Sequence, residues 1–422
     1  MSVVSHWIHA AAARHPGRVA IEGPERSLTY RELWEAAIAR AGALDGAKRV
    51  GIALPAGEDF VITLHASLLA GAAAVPIDLR LSQAEQGQRL AGADMVVSEA
   101  LAPAPRGSLN AVAGDAAVAV MHTSGTTAAP KPVVLSYSNF MASALGSAVA
   151  LGLDIEERWL CPMPLTHVGG LSIPIRSAIY ATTTVLHGRF DTEAVLNDLM
   201  DPARRVTLVS LVPTMLARLL DAGLEKPPTL RWALLGGGPI PPALLSRAED
   251  AGVPVAPTYG MTEACSQIAT FGWALPGVDV VIAEDGELLV RGPIVSAGAL
   301  SDDGWLHTGD QGEFDGRGRL MIIGRKFDTI VTGGENVAPA EVEAVLLEHP
   351  AVADAAVHAR SDPDWGEALV ATVVLLDGLV TTPDELKAHC AGRLAAFKVP
   401  KSIEFADGLP RTSSGKLLRR QL

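Results

Sequence analysis

The chain has 422 residues, enough for two or three domains and a large buried core. Hydrophobic residues make up 49% and the formal net charge is -13, with no basic run. Disorder is therefore not the default reading, and a nucleic-acid surface, which needs clustered Lys and Arg, is not expected.

The first twenty residues lack a basic start and carry His6 and His9 inside their apolar part, so they make a poor signal peptide. The longest apolar runs, such as AVAGDAAVAVM, are broken by Gly and Asp and are too short for a bilayer. Cys161, Cys265 and Cys390 are scattered, with no CxxC or Cys/His spacing, which argues against zinc and against a disulfide framework. A soluble cytoplasmic protein is expected.

Residues 50–54 (VGIAL) read as a strand, 60–73 as a helix and 74–77 as a second strand, the grammar of a parallel α/β layer. The pattern recurs at 206–213, 231–239 and 253–260, each a strand that runs into a loop. In open α/β sheets such loops line the ligand edge. After about residue 275 the alternation around Asp285-Gly286, repeated in DGRGRLMIIGR, predicts hairpins. From Lys326 a compact α+β unit is expected. It has a helix opened by Pro339, a strand at 368–376, and a helix capped by Thr382 with Leu386, Cys390, Leu394 and Phe397 on one face.

Five stretches carry candidate chemistry. In MHTSGTTAAPKPVVLS (121–136), Thr123, Ser124, Gly125, Thr126, Thr127 and Lys131 could hold a polyphosphate, although the spacing is not that of a P-loop. A Ser/Thr-rich turn is the plain alternative. In TYGMTEA (258–264), Glu263 could hold Mg²⁺; alternatively Thr262 caps a helix with Glu263 in its first turn. In GWLHTGDQGEF (304–314), Asp310 could take a sugar's hydroxyls or be a turn aspartate. Arg325 and the Gly333-Gly334 pair stand out in GRKFDTIVTGGENVAPAEVE, and Lys416 in PRTSSGKLLRR, where surface roles are the alternatives.

Taken together and in this order, these motifs resemble the adenylate-forming superfamily of acyl-CoA synthetases, peptide-synthetase adenylation domains and luciferases. The resemblance runs from RVAIEGPERSLTYRELWEAA to PRTSSGKLLRR, nearly the whole chain. It implies an α/β fold: a large N-terminal domain, 1–325, of layered parallel and mixed sheets with helices and a β-rich subdomain, then a small mobile α+β C-terminal domain, 326–422. It also implies two half-reactions. ATP and a carboxylate give an acyl-adenylate and pyrophosphate; then a thiol, usually that of coenzyme A, displaces AMP.

Carried over by motif, Thr123 to Thr127 and Lys131 would bind the phosphates. Glu263, with Thr127, would hold Mg²⁺. Gly236, Gly237, Gly238 and Tyr259 would wall the adenine, and Thr262 would sit near the α-phosphate. Asp310 and Arg325 would bind the ribose. Lys416 would stabilise charge at the reacting carboxylate, and Gly333 and Gly334 would serve the thioester step. The hinge would lie around Lys326, Phe327 and Asp328.

The stretch MPLTHVGGLSIPIRSAIYATTTVLHGRF (163–190) resembles one branch, the o-succinylbenzoate–CoA ligases of menaquinone biosynthesis. There His167, Gly170 and Ser172 would line the acyl pocket, and Arg176 would meet the acid's second carboxylate. A core histidine and a salt-bridged arginine are the alternatives.

Two positions depart from the family pattern: Ala128 and Pro132 stand where glycines are usual. A working loop with altered mobility is expected. The chain is also short for the family. A ligase or carrier-loading enzyme for another acid remains open, as does a non-catalytic nucleotide- or acyl-CoA-binding relative. Partners are expected to be the acid, ATP and CoA, with no nucleic acid and no membrane span; a homodimer is left open.

Overall fold

A computed structural model describes residues 3–4, 6–104, 112–123, 131–326, 330–332, 335–362, 366–411 and 417–422. By contacts the chain divides into two compact units: residues 1–237, 247–279 and 290–306, and residues 238–246, 280–289 and 307–422.

Besides a short antiparallel pair, Val3–Val4 with Val112–Ala113, the first unit holds two larger sheets. In the larger, the strands Val255–Met261, Trp232–Leu235, Leu208–Leu211, Arg158–Cys161, Thr183–Leu186 and Val19–Glu22 lie side by side and parallel. Antiparallel strands close both edges: Ser27–Thr29 on one side, Ser266–Thr270 and Trp273–Ala274 on the other. The second sheet orders Met95–Val97, Arg49–Ile52, Ala73–Pro76 and Ala117–Thr123, with Lys131–Ser136 antiparallel at its edge. The strand, helix and strand expected at 50–77 are present, as Arg49–Ile52, Glu58–Ala70 and Ala73–Pro76.

Parallel strands need crossovers, and those crossovers supply the helices. Glu58–Ala70 and Val168–Tyr180 are buried on almost every side, within one apolar core that draws on both sheets. That explains why neither has a polar face in the sequence. Tyr30–Ala41 starts with a capping box: Thr29 accepts from the Glu32 N–H, and the Glu32 carboxylate accepts from the Thr29 N–H.

A four-stranded sheet runs in the order Asp279–Ile282, Glu287–Arg291, Leu306–Phe314 and Leu320–Arg325, most of it in the second unit. Both expected turns are there, with Gly286 at φ 82° and Gly318 at φ 81°. Beyond it, the antiparallel pair Val352–Asp362 and Gly366–Leu375 carries Ser402–Phe405 parallel to the second strand. The helices Pro339–Leu347 and Pro383–Ala391 pack onto this sheet through Val342, Leu346, Leu386 and Cys390. The second helix ends at Ala391, earlier than the apolar spacing suggests. Leu394 and Phe397 still reach the same core, from the chain that follows it.

Candidate active site

The described parts of the five motifs divide between the two units. In the first unit, Thr123 ends one strand and Lys131 begins the next, and the two are register partners. They flank residues 124–130; Ser124, Gly125, Thr126, Thr127 and Ala128 lie outside the described residues. Lys131 is exposed and has no acidic partner among the described residues. Pro132 belongs to the strand, paired with His122, rather than to the loop. That strand is the sheet's edge, where a missing N–H is tolerated.

The TYGMTEA segment finishes the strand Val255–Met261 and reverses through a single 3-10 turn, Thr262–Ala264. The helix-cap alternative is not what forms: the residue before the turn is Met261, and no side chain caps it. Thr262 and Glu263 are half-buried. The reversal is tight, with Cys265 at φ 50° and Ser266 at φ 90°, both left-handed without being glycine. Gly260 permits it, because a Cβ there would collide with the Ser266 carbonyl.

The turn lies against the strand that Lys131 begins. Ser296 links them: its N–H donates to the Glu263 carbonyl at 2.8 Å, and its hydroxyl donates to the Val134 carbonyl at 2.8 Å. Lys131 and the candidate metal carboxylate are thus held on neighbouring elements. The Glu263 carboxylate has no ion-pair or hydrogen-bond partner among the described residues. No cluster of three or more metal-ligating side chains occurs there either. One carboxylate on a turn beside the strand that Lys131 begins fits Mg²⁺, which takes one or two carboxylates and fills its shell with phosphate oxygens and water.

Gly236 follows the strand Trp232–Leu235 and packs on Thr258; a Cβ would come to 2.7 Å from its Cγ2 and 2.8 Å from its carbonyl oxygen. Gly237 has φ 81° and is exposed, and Tyr259 is half-buried beyond Thr258. Gly238 falls in the second unit.

Around the expected acyl pocket, His167 precedes the helix Val168–Tyr180. Its Nε2 is buried without a partner, and burial pulls the ring's pKa below the usual value, against the opposing pull of Asp78. Gly170 is fixed by packing, since a Cβ would strike the Pro164 carbonyl. The Ser172 hydroxyl donates within its own helix, to Gly169, at 3.1 Å.

Arg176 is 1% exposed. Its Nη2 donates to the Ser143 hydroxyl at 2.9 Å, and the guanidinium lies 5.7 Å from the Trp159 ring centroid. Its Nε has no partner, and no carboxylate pairs with it among the described residues. Burial pushes its pKa below the usual value, partly offset by Tyr180 and Cys265.

In the second unit, Asp310 is not a turn residue. It lies inside the strand Leu306–Phe314, 5% exposed, opposite Arg325 and 2.9 Å from its Nε. Thr308, to which no motif points, braces the pair: its hydroxyl accepts from the Asp310 N–H, and its carbonyl accepts from Arg325 Nη1. Gly333, Gly334 and Lys416 lie outside the described residues. The flanks of the Lys416 segment are tied down nonetheless. Arg411 bridges to Leu417 and pairs with Asp354 at 2.6 Å, and Arg419 pairs with Glu343. Asn139, Ser143 and Ser296 also carry site geometry that no local motif announces, because each acts on a carbonyl distant in sequence.

Residues 8–104 and 98–300 match the AMP-binding enzyme family, and residues 341–416 match the AMP-binding enzyme C-terminal domain. A 2-succinylbenzoate–CoA ligase of Bacillus licheniformis is 37% identical, covering 99% of each chain. That alignment runs over 476 positions against 422 residues here, so the relative carries stretches this chain lacks. The Bacillus subtilis o-succinylbenzoate CoA synthetase in complex with the acyl-adenylate intermediate OSB-AMP superposes with TM-score 0.92 at 34% identity, over 100% of this chain and 98% of that one. The same enzyme with ATP and magnesium ion gives 0.91, again at 34% identity, over 100% of both chains. The conjunction of both domain matches with these full-length relatives is decisive: the chain belongs to the AMP-binding enzyme family, the adenylate-forming acid–CoA ligases.

Proposed function

We propose that the chain is the 2-succinylbenzoate–CoA ligase of its source, making the acyl-CoA through an acyl-adenylate. The acid's carboxylate oxygen attacks the α-phosphorus of ATP and pyrophosphate leaves. The CoA sulfur then attacks the acyl carbon and AMP leaves. Two anions must meet in the first step, so positive charge has to be placed around them. Lys131 supplies it at the loop mouth and Lys416 at the reacting carboxylate. Mg²⁺ held by Glu263 and Thr127 would neutralise phosphate charge. Asp310 and Arg325 hold the ribose, with the domain boundary at 325/326 and the hinge just after it. Gly333 and Gly334 admit the thiol.

The observation that carries the choice of acid is Arg176. A buried guanidinium without a carboxylate is costly, and an acid with a second, unreacted carboxylate supplies the missing partner. Full-length likeness to ligases named for that acid supports the same choice. No described helix is long and apolar enough to cross a membrane. The three free, buried cysteines suit a reducing cytoplasm, where we place the reaction.

The test is acid-dependent ATP–pyrophosphate exchange with 2-succinylbenzoate, benzoate and octanoate. Exchange with 2-succinylbenzoate alone is expected. Exchange with another acid instead would keep the chemistry and discard this substrate. No exchange from folded protein would favour a non-catalytic relative and direct attention to Ala128 and Pro132.

A further inference from the structure

The chain leaves the Thr262–Ala264 turn through an improbable conformation that something must hold. Cys265 and Ser266 follow it with φ of 50° and 90°. Non-glycine residues stay in that region only where their surroundings over-determine them. One fastening is a buried hydroxyl: Ser143, 1% exposed, donates to the Cys265 carbonyl at 2.7 Å. The same oxygen accepts from Arg176 Nη2 at 2.9 Å. A hydroxyl has one proton to give, and here an adjacent cation polarises it, which strengthens the bond it donates.

One helical turn earlier, Asn139 Nδ2 donates to the carbonyls of Pro293 and Val295, each at 2.9 Å. That orders the backbone leading to Ser296, whose N–H holds the Glu263 carbonyl. A single helix, Tyr137–Leu151, therefore grips the Glu263 turn from two sides.

We propose that Ser143 is a positioning residue for metal-dependent ATP binding: bridging Arg176 and the Cys265 carbonyl, it fixes the turn that presents Glu263. The inference rests on the reading of Glu263 as the magnesium carboxylate. It goes further by placing the control of that carboxylate on a side chain that touches neither metal nor nucleotide.

The test is calorimetric titration with ATP, once with saturating Mg²⁺ and once in EDTA, on wild type, Ser143→Ala and Ser143→Thr. The readout is the Kd in EDTA divided by the Kd with Mg²⁺. Ser143→Ala should cut that ratio about five- to ten-fold, the loss of one buried hydrogen bond. Its Kd in EDTA should stay within about two-fold, and Ser143→Thr, which keeps a hydroxyl, should restore the ratio. An unchanged ratio in folded Ser143→Ala overturns the proposal and leaves the Glu263 reading standing. A wild type whose affinity ignores Mg²⁺ overturns both. Should Ser143→Ala fail to fold, Ser143→Cys replaces it: a thiol is a weaker donor, so its ratio should fall below that of Ser143→Thr, and equal ratios count against the proposal.

Discussion

Arg176 poses the sharpest question at the scale of single residues, because burial and function pull it in opposite directions. An interior guanidinium that donates to a hydroxyl and faces an indole is poorly compensated. Replacing such a charge with an apolar side chain of similar volume is often neutral or stabilising. Arg176→Met should therefore keep or raise the melting temperature while raising the KM for 2-succinylbenzoate on the order of 100-fold, the cost of unpairing a buried carboxylate. A fall in stability that matches the rise in KM would reduce Arg176 to a packing residue. Gly260 gives the opposite expectation. A methyl group there would enter the Ser266 carbonyl, so Gly260→Ala should cost at least about 2 kcal/mol in urea unfolding, with or without ligand. The sequence announces Arg176, an arginine in an apolar run, and hides Gly260, one glycine among 41. The need for that glycine arises from a pairing six residues away across a tight reversal. The turn alternative at Asp310 fails for a related reason: two glycines nearby suggest a turn, whereas strand register with Arg325 decides its place.

Among the elements, the helix Glu58–Ala70 shows what enclosure between sheets does to a titratable group. His65 is 2% exposed, and its Nε2 has no partner. Burial, reinforced by the neighbouring His6, pushes its pKa down to about 3. The unfolded chain has an ordinary imidazole, so it binds the extra proton below about pH 6.5 and the folded chain does not. Stability from this group is present above about pH 6.5 and drains as pH falls toward 3. By pH 5 the loss should be about 2 kcal/mol, and His65→Leu should flatten that part of the pH profile. A profile identical in both proteins would mean that His65 titrates normally in the fold. Elements of this kind were legible because long apolar spacing and short strand runs carry their own periodicity. Ends were less so: the spacing of Leu394 and Phe397 continues the apolar face of Pro383–Ala391, but the chain turns before them and reaches the same core by another path.

For the whole molecule, the order of the motifs told more than any one of them. Each polar stretch had a plain alternative, and those at Thr262 and Asp310 fail only once the chain is folded. Separation along the chain also yields the strongest functional prediction. Lys416 is assigned to the first half-reaction and Gly334 to the second, so a substitution at each should separate the two steps. Lys416→Ala should lower ATP–pyrophosphate exchange by roughly 100-fold or more, because it removes a charge needed where two anions meet. It should leave the reaction of supplied acyl-adenylate with CoA within a few-fold of wild type, since no such repulsion arises there. Gly334→Leu should do the reverse: exchange persists, while thioester formation fails because a side chain blocks the thiol's approach. Rapid-quench assays of each half-reaction measure both effects on the same preparations. Parallel losses in both steps, from either variant, would mean that the two residues act together on one state of the protein, and the division of labour assigned to them would have to be withdrawn.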